Sequence, residues 1–338
     1  MTVTVRSFAK INLGLYIGAL RPDGFHGLRT VYQTIALYDM IHVGVRRGTG
    51  IEIACADPRV PCDKSNTCHR MAERVLDALD GAGRVTIEIE KRLPVQGGLG
   101  AASSNAVATM LALERTLKKR LTPADRLRIA AEVGSDLPLF LVGGTALGVG
   151  HGEEVYPVPD LPPIPLVIVT PEIGVSTPKA FADWDASPAR VDSRAGRTGM
   201  SAPHGTELTA SGASDRLNEV GRALSAWLVS PHAGAPALGG SRAGSLLLDL
   251  VRTGIENDFE KVVFPQHPEL RDIKAGLKRS GAAYVSLSGS GSTLYGLFRT
   301  RETAAGAAAR LRKQGLRALA TTTLTRAQYW KKLLVAGC

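Results

Sequence analysis

The sequence predicts an α+β protein of two domains. Strand-like apolar runs alternate with punctuated helical segments, a proline-rich stretch divides the chain, and the part after residue 268 runs strand and helix in regular order. A chain of 338 residues accommodates two units of ~100–200 residues. Pro157 to Pro165 holds five prolines, which interrupt helices and interior strands, so the expected division is 1–158 and 159–338.

The first unit opens with apolar runs at Thr2 to Ala9 and Leu13 to Ala19, a polar turn around Pro22-Asp23-Gly24, and a further run from Val31 to Val45. Asn66 precedes a helix near 67–79, and Val85 to Ile89 alternates as a strand. Thr122 as N-cap, Pro123 at the first position and Asp125 at the third start a helix that runs through Leu127, Ile129, Ala130 and Val133. In the second unit a strand is expected at 166–170. An irregular polar insertion then spans about 183–245, with a helix around 214–229 inside it. Helix 268–280, strands 283–287 and 293–298, helix 301–314 and strand 317–324 complete a split β-α-β arrangement.

Composition narrows the function classes. No run of ~20 apolar residues spans a bilayer and no secretory signal opens the chain, so the expected location is cytoplasmic, with no membrane partner. The four cysteines at 55, 62, 68 and 338 follow no zinc spacing. Lys and Arg outnumber Asp and Glu by 41 to 31, a formal charge of +10 that suits a polyanion. Because the basic residues fall in short groups and aromatics are only 5%, a small anionic ligand is expected and nucleic acid is not.

The segment from Pro94 carries the most chemistry. Gly97, Gly98, Leu99 and Gly100 lead through Ala101 and Ala102 to Ser103, Ser104 and Asn105, good residues for a helix start, and then to the apolar face of Val107, Met110 and Leu111. Free N–H groups and the positive helix end there would hold phosphate oxygens; a flexible loop before a packing helix fits the composition equally well. The segment has no P-loop lysine and no G-x-G-x-x-G spacing. Lys10 and Asn12 share one side of a strand, as phosphate or hydroxyl ligands or as ordinary edge residues. Asp136, in Gly134-Ser135-Asp136-Leu137-Pro138, suits either a proton acceptor in phosphoryl transfer or a turn residue.

Taken in order, Ala9-Lys10-Ile11-Asn12, the glycine-rich segment, Gly134 to Pro138 and Ser288-Gly289-Ser290-Gly291-Ser292 resemble the GHMP kinase superfamily. Asp23-Gly24-Phe25-His26 and Asn257-Asp258-Phe259-Glu260 narrow the resemblance to its members that act on 4-diphosphocytidyl-2-C-methyl-D-erythritol. The resemblance covers nearly the whole chain. It implies an N-terminal ribosomal protein S5 domain 2-like domain and a C-terminal ferredoxin-like α/β sandwich. The implied reaction is ATP-dependent phosphorylation of the 2-hydroxyl of that cytidine diphosphate compound, with Mg²⁺ accompanying ATP, by a monomer or homodimer. Another alcohol kinase of the superfamily and a non-enzymatic nucleotide or RNA-binding module are the competing classes.

By the same resemblance, Asp136 accepts the hydroxyl proton and Lys10 organises charge, with Asn12 beside them. Phe25 and Phe181 would clamp cytosine, His26 would recognise its polar edge, and Thr177 lies on the facing segment. ATP would meet Asn66, Pro94, the loop from Gly97 to Asn105, and Gly289, Ser290 and Gly291, and Ser104 is the implied magnesium contact. Phe25 stands where tyrosine is usual, and Gln96 and Ala101-Ala102 stand where glycines are common.

Overall fold

The computed structural model describes residues 2–95, 97–187 and 255–335. Gln96 and most of the expected polar insertion, including its helix at 214–229, lie outside the described residues.

Two sheets form the frame. Strands β1 (Thr2–Leu20), β2 (His26–Arg46), β3 (Ile51–Cys55), β4 (Arg84–Glu90), β5 (Thr145–Val149) and β6 (Glu154–Pro157) make the first, in the order β3-β4-β2-β5-β6 with β1 paired to β2. Strands β7 (Pro165–Val169), β8 (Tyr284–Leu287), β9 (Leu294–Leu297) and β10 (Ala318–Thr322) make the second, antiparallel throughout and ordered β10-β7-β9-β8.

The two expected runs at 2–9 and 13–19 are one continuous strand. Register shifts between Phe8 and Lys10 and between Asn12 and Gly14 let it bend while the pairing to β2 persists. Because both faces of β1 are covered, its side chains are almost all buried and lack the polar alternation that would mark a half-exposed strand. Val3, Val5 and Phe8 pack in a core with helices α1 (Thr67–Ala78), α2 (Ala101–Leu117) and α3 (Pro123–Val133). Ala9, Ile11 and Leu13 meet Leu166, Ile168 and Tyr295 of the second sheet. Leu15 and Ile17 enter a third core.

Local signals act as the residue chemistry demands. Asn66 caps α1, its side chain accepting from Cys68 N, and Thr122 caps α3 by accepting from Asp125 N. Helix α2 begins earlier than Ser103: Gly100, at φ +67°, is the N-cap, so Ser103, Ser104 and Asn105 lie within the helix. A four-residue helix, α4 (Leu139–Val142), follows Asp136.

The expected start of the irregular insertion at 183 is corrected. Helix α5 (Thr177–Ala186) runs through it, anchored by Trp184 at 1% exposure and by Asp183, which pairs with Lys179. Helices α6 (Glu260–Gln266), α7 (Pro268–Arg279) and α8 (Arg301–Lys313) cover the second sheet. The last helix, α9 (Arg326–Leu333), returns to the first core, where Tyr329 is buried and donates to the Phe140 carbonyl at 2.7 Å. Among the described residues no helix is long and apolar enough to cross a membrane.

Candidate active site

Two cavities meet at the glycine-rich loop. The larger, about 620 Å³, has Lys10, Asn12, Tyr32 and Asp136 at one end and Phe25, His26, Phe181 and Asp185 among its other lining residues. The second, about 350 Å³, lies among Asn66, Lys91, Pro94, Gly97 and Ala101. Gly98, Gly100 and Ser103 line both. The loop is thus a shared wall between two binding spaces.

The loop's shape follows from close approaches. Gly98 has φ +75°, and a Cβ there would overlap the Ser288 carbonyl oxygen. Ser288 Oγ donates to the Gly98 carbonyl at 2.9 Å, which joins the loop to the 288–292 turn. That turn is held from beneath by Asn257, whose Nδ2 donates to the carbonyls of Leu287 and Gly289. Asp39 clamps the flanks: its carboxylate accepts from Arg92 N, Leu93 N, Lys91 Nζ and Asn105 Nδ2. No side chain caps α2, so the N–H groups of its first turn are available to an anion.

Lys10 and Asp136 are brought together. Lys10 Nζ, on a side chain only 4% exposed, lies 3.3 Å from Asp136 Oδ2 and donates to Asn12 Oδ1 at 2.7 Å. Asn12 Nδ2 in turn donates to Thr30 Oγ1, and that hydroxyl to the Gly14 carbonyl, which fixes the amide's orientation. Lys10 N donates to the Leu99 carbonyl at 3.0 Å, tying β1 to the loop.

In the same cavity Phe25 is 62% exposed and packs 5.0 Å from the His151 ring. Phe181 lies parallel to His26 at 5.7 Å and edge-on to Phe259. Both ring nitrogens of His26 already face acceptors, Nδ1 the Gly18 carbonyl at 2.9 Å and Nε2 the Asp185 carboxylate at 3.1 Å. Thr177 Oγ1 and Ser290 Oγ meet at 2.8 Å across the cavity wall.

Other expected contacts fall elsewhere. Ser104 lines neither cavity: it is 2% exposed and its Oγ accepts from Ser7 Oγ at 2.7 Å, because one residue further along the helix turns it toward β1. Ser103 is the hydroxyl that faces both spaces. Gly291 lines neither. Leu99, Ala102 and Asn105 line the smaller cavity, although the Asn105 amide is occupied by Ser7 and Asp39. Asn66 both caps α1 and lines that cavity. Among the described residues no group of three or more His, Cys, Asp or Glu side chains is placed to hold a metal ion.

Tyr32, Thr30, Asp39, Asp185 and His151 belong to no motif in the sequence, yet the structure brings them to the site or its supports. Tyr32 pairs with Asn12 across the β1–β2 ladder, beyond two register shifts from the turn, so no local signal in the sequence marks it. A lone carboxylate inside an apolar strand was the signal for Asp39.

Family models agree with this architecture: the GHMP kinases N terminal domain matches residues 66–144 and the GHMP kinases C terminal domain matches 241–316. The 4-diphosphocytidyl-2-C-methyl-D-erythritol kinase of Solibacter usitatus is 38% identical over 88% of this chain and 81% of its own. That of Moorella thermoacetica is 34% identical over 95% and 99%. A crystal structure of 4-(cytidine 5'-diphospho)-2C-methyl-D-erythritol kinase superposes with a TM-score of 0.68 at 28% identity, covering 95% of this chain and 98% of that one. Homoserine kinase from Cytophaga hutchinsonii, at 19% identity and a TM-score of 0.68, shares the fold. With relatives this similar over 81% and 99% of their own length, the chain belongs to the 4-diphosphocytidyl-2-C-methyl-D-erythritol kinase family of the GHMP kinases.

Proposed function

We propose that the protein transfers the γ-phosphoryl group of ATP to the 2-hydroxyl of 4-diphosphocytidyl-2-C-methyl-D-erythritol. The observation that carries this reading is the shared wall: Gly98, Gly100 and Ser103 border both cavities, and the Lys10–Asp136 pair stands in the larger one beside it. ATP occupies the smaller cavity with its phosphates against the first turn of α2, and the acceptor alcohol occupies the larger.

Asp136 takes the hydroxyl proton as the oxygen bonds to the γ-phosphorus and the bond to the β–γ bridging oxygen breaks, releasing ADP. Lys10 balances the charge gathered between the two carboxylate and phosphoryl groups. Phe25 and Phe181 flank the cytosine, and His26, tied to Asp185, shapes its polar edge. Ser103, rather than Ser104, is the hydroxyl that would meet Mg²⁺, which would supply positive charge to the transferred phosphoryl group. The unit boundary is kept at 158/159, and the sheet order β10-β7-β9-β8 with its covering helices supports a ferredoxin-like second unit.

Incubation of the purified protein with ATP and a panel comprising the cytidine compound, homoserine and mevalonate tests the proposal. A product carrying phosphate on the 2-hydroxyl of the cytidine compound is expected. Turnover of another alcohol in its place would overturn the substrate assignment.

A further inference from the structure

Tyr32 lies in β2, 2% exposed, and its hydroxyl donates to Asp136 Oδ1 at 2.9 Å. The other carboxylate oxygen, Oδ2, faces Lys10 Nζ. Asp136 comes from the bend between α3 and α4, and its side chain is 35% exposed. The terminal torsion of an aspartate is broad, so a carboxylate on such a bend needs contacts on both oxygens to hold one orientation. Lys10 and Tyr32 provide those contacts, one to each oxygen.

The tyrosine is itself seated by backbone. A Cβ at Gly148 would overlap the ring edge, and one at Gly152, where φ is +104°, would stand 2.6 Å from the hydroxyl oxygen. Burial, and next the Asp136 charge, push the phenol well above its ordinary range, so the hydroxyl keeps its proton and donates. Lys10 Nζ lies 5.6 Å from the ring centroid, completing a three-residue unit.

We propose that Tyr32 is a positioning residue for phosphoryl transfer, fixing the Asp136 carboxylate through Oδ1 so that Oδ2 is presented to the acceptor hydroxyl beside Lys10. The assignment rests on the kinase reading above and on Asp136 as proton acceptor. It concerns the hydroxyl alone, since phenylalanine fills the same space between the two glycines.

Steady-state and single-turnover rates with ATP and the cytidine compound are measured for the parental protein, Tyr32→Phe, Asp136→Ala and the double variant. Tyr32→Phe is expected to lower kcat about tenfold, the loss of one hydrogen bond to a charged group, with KM for both substrates within about twofold. In the Asp136→Ala background the same change should cost nothing further. A second variant, Gly152→Ala, keeps the tyrosine but brings a methyl group against its hydroxyl, and should give the same kcat-selective loss. Parental kcat in folded Tyr32→Phe, or an equal loss in both Asp136 backgrounds, overturns the proposal and leaves the kinase reading standing. No transfer by the parental protein removes the kinase reading and this assignment together.

Discussion

Asp39 and Lys91 form an ion pair at 2.7 Å with side chains 0% and 9% exposed, and both flanks of the glycine-rich loop converge on that carboxylate. Its Oδ1 holds the backbone N–H groups of Arg92 and Leu93, each at 2.7 Å, and its Oδ2 accepts from Asn105 in α2. One buried group therefore sets the distance between the strand that enters the loop and the helix that leaves it.

Asp39→Ala removes the carboxylate that pairs with Lys91 and accepts from two backbone N–H groups and Asn105, leaving Lys91 with the Leu93 carbonyl. A stability loss of ~3–5 kcal/mol is expected. Urea unfolding measures it, and an accompanying fall in ATP affinity, read by calorimetry on the folded fraction, would show that the loop has loosened.

Gly98→Ala tests the contact between the loop and the 288–292 turn. The added methyl cannot coexist with the Ser288 carbonyl, and the left-handed backbone disfavours any side chain. ATP turnover should fall at least ~10-fold, since ~1.4 kcal/mol of strain on the loop already corresponds to that factor. Gly97→Ala is a milder control: its φ is not in the left-handed region, and an added Cβ would meet a side-chain hydroxyl, Thr293 Oγ1 at 2.8 Å, rather than overlap a backbone carbonyl.

Asp136→Asn keeps the shape beside Lys10 and Tyr32 but removes the proton acceptor. The expected loss is ~10²–10⁴-fold, in kcat rather than KM. Rapid-quench single turnover reports the phosphoryl step directly, and a parental rate there would exclude Asp136 from it.

Phe181→Ala removes the ring stacked beside His26 and should weaken the cytidine compound by ~1–3 kcal/mol while ATP affinity stays constant. Isothermal titration of each ligand separates the two. An equal loss for both would move Phe181 from base recognition to general packing.

How much of this was legible in the sequence depends on whether a residue's role is local. Thr122-Pro123 and Asn66 announced their helices because a cap acts within a few residues, and the 288–292 turn announced its hairpin by composition. Lys10, Asn12 and Asp136 could be named through motif order and stand together as expected. Ser104, the magnesium contact implied by resemblance, instead lies inside a helix capped at Gly100, where its hydroxyl turns toward Ser7 and away from the cavities. Tyr32 was hidden by the bulges of β1, since register cannot be counted through them from the turn at Pro22. Strands β3, β5 and β6 also went unseen: each is 4–5 residues long and only partly apolar, so pairing with neighbours defines them more than propensity does.

The return of α9 to the first core bears on synthesis of the chain. Leu324, Tyr329 and Leu333 fill a core otherwise built from residues 3–146, and Tyr329 braces Phe140, just past the Asp136 bend. At ~5–20 residues per second, a ribosome needs on the order of 10–30 s to pass from β6 to those residues. Through that interval the nascent N-terminal unit lacks the apolar side chains that pack beneath the Asp136 bend, so its core is completed only after α9 leaves the exit tunnel.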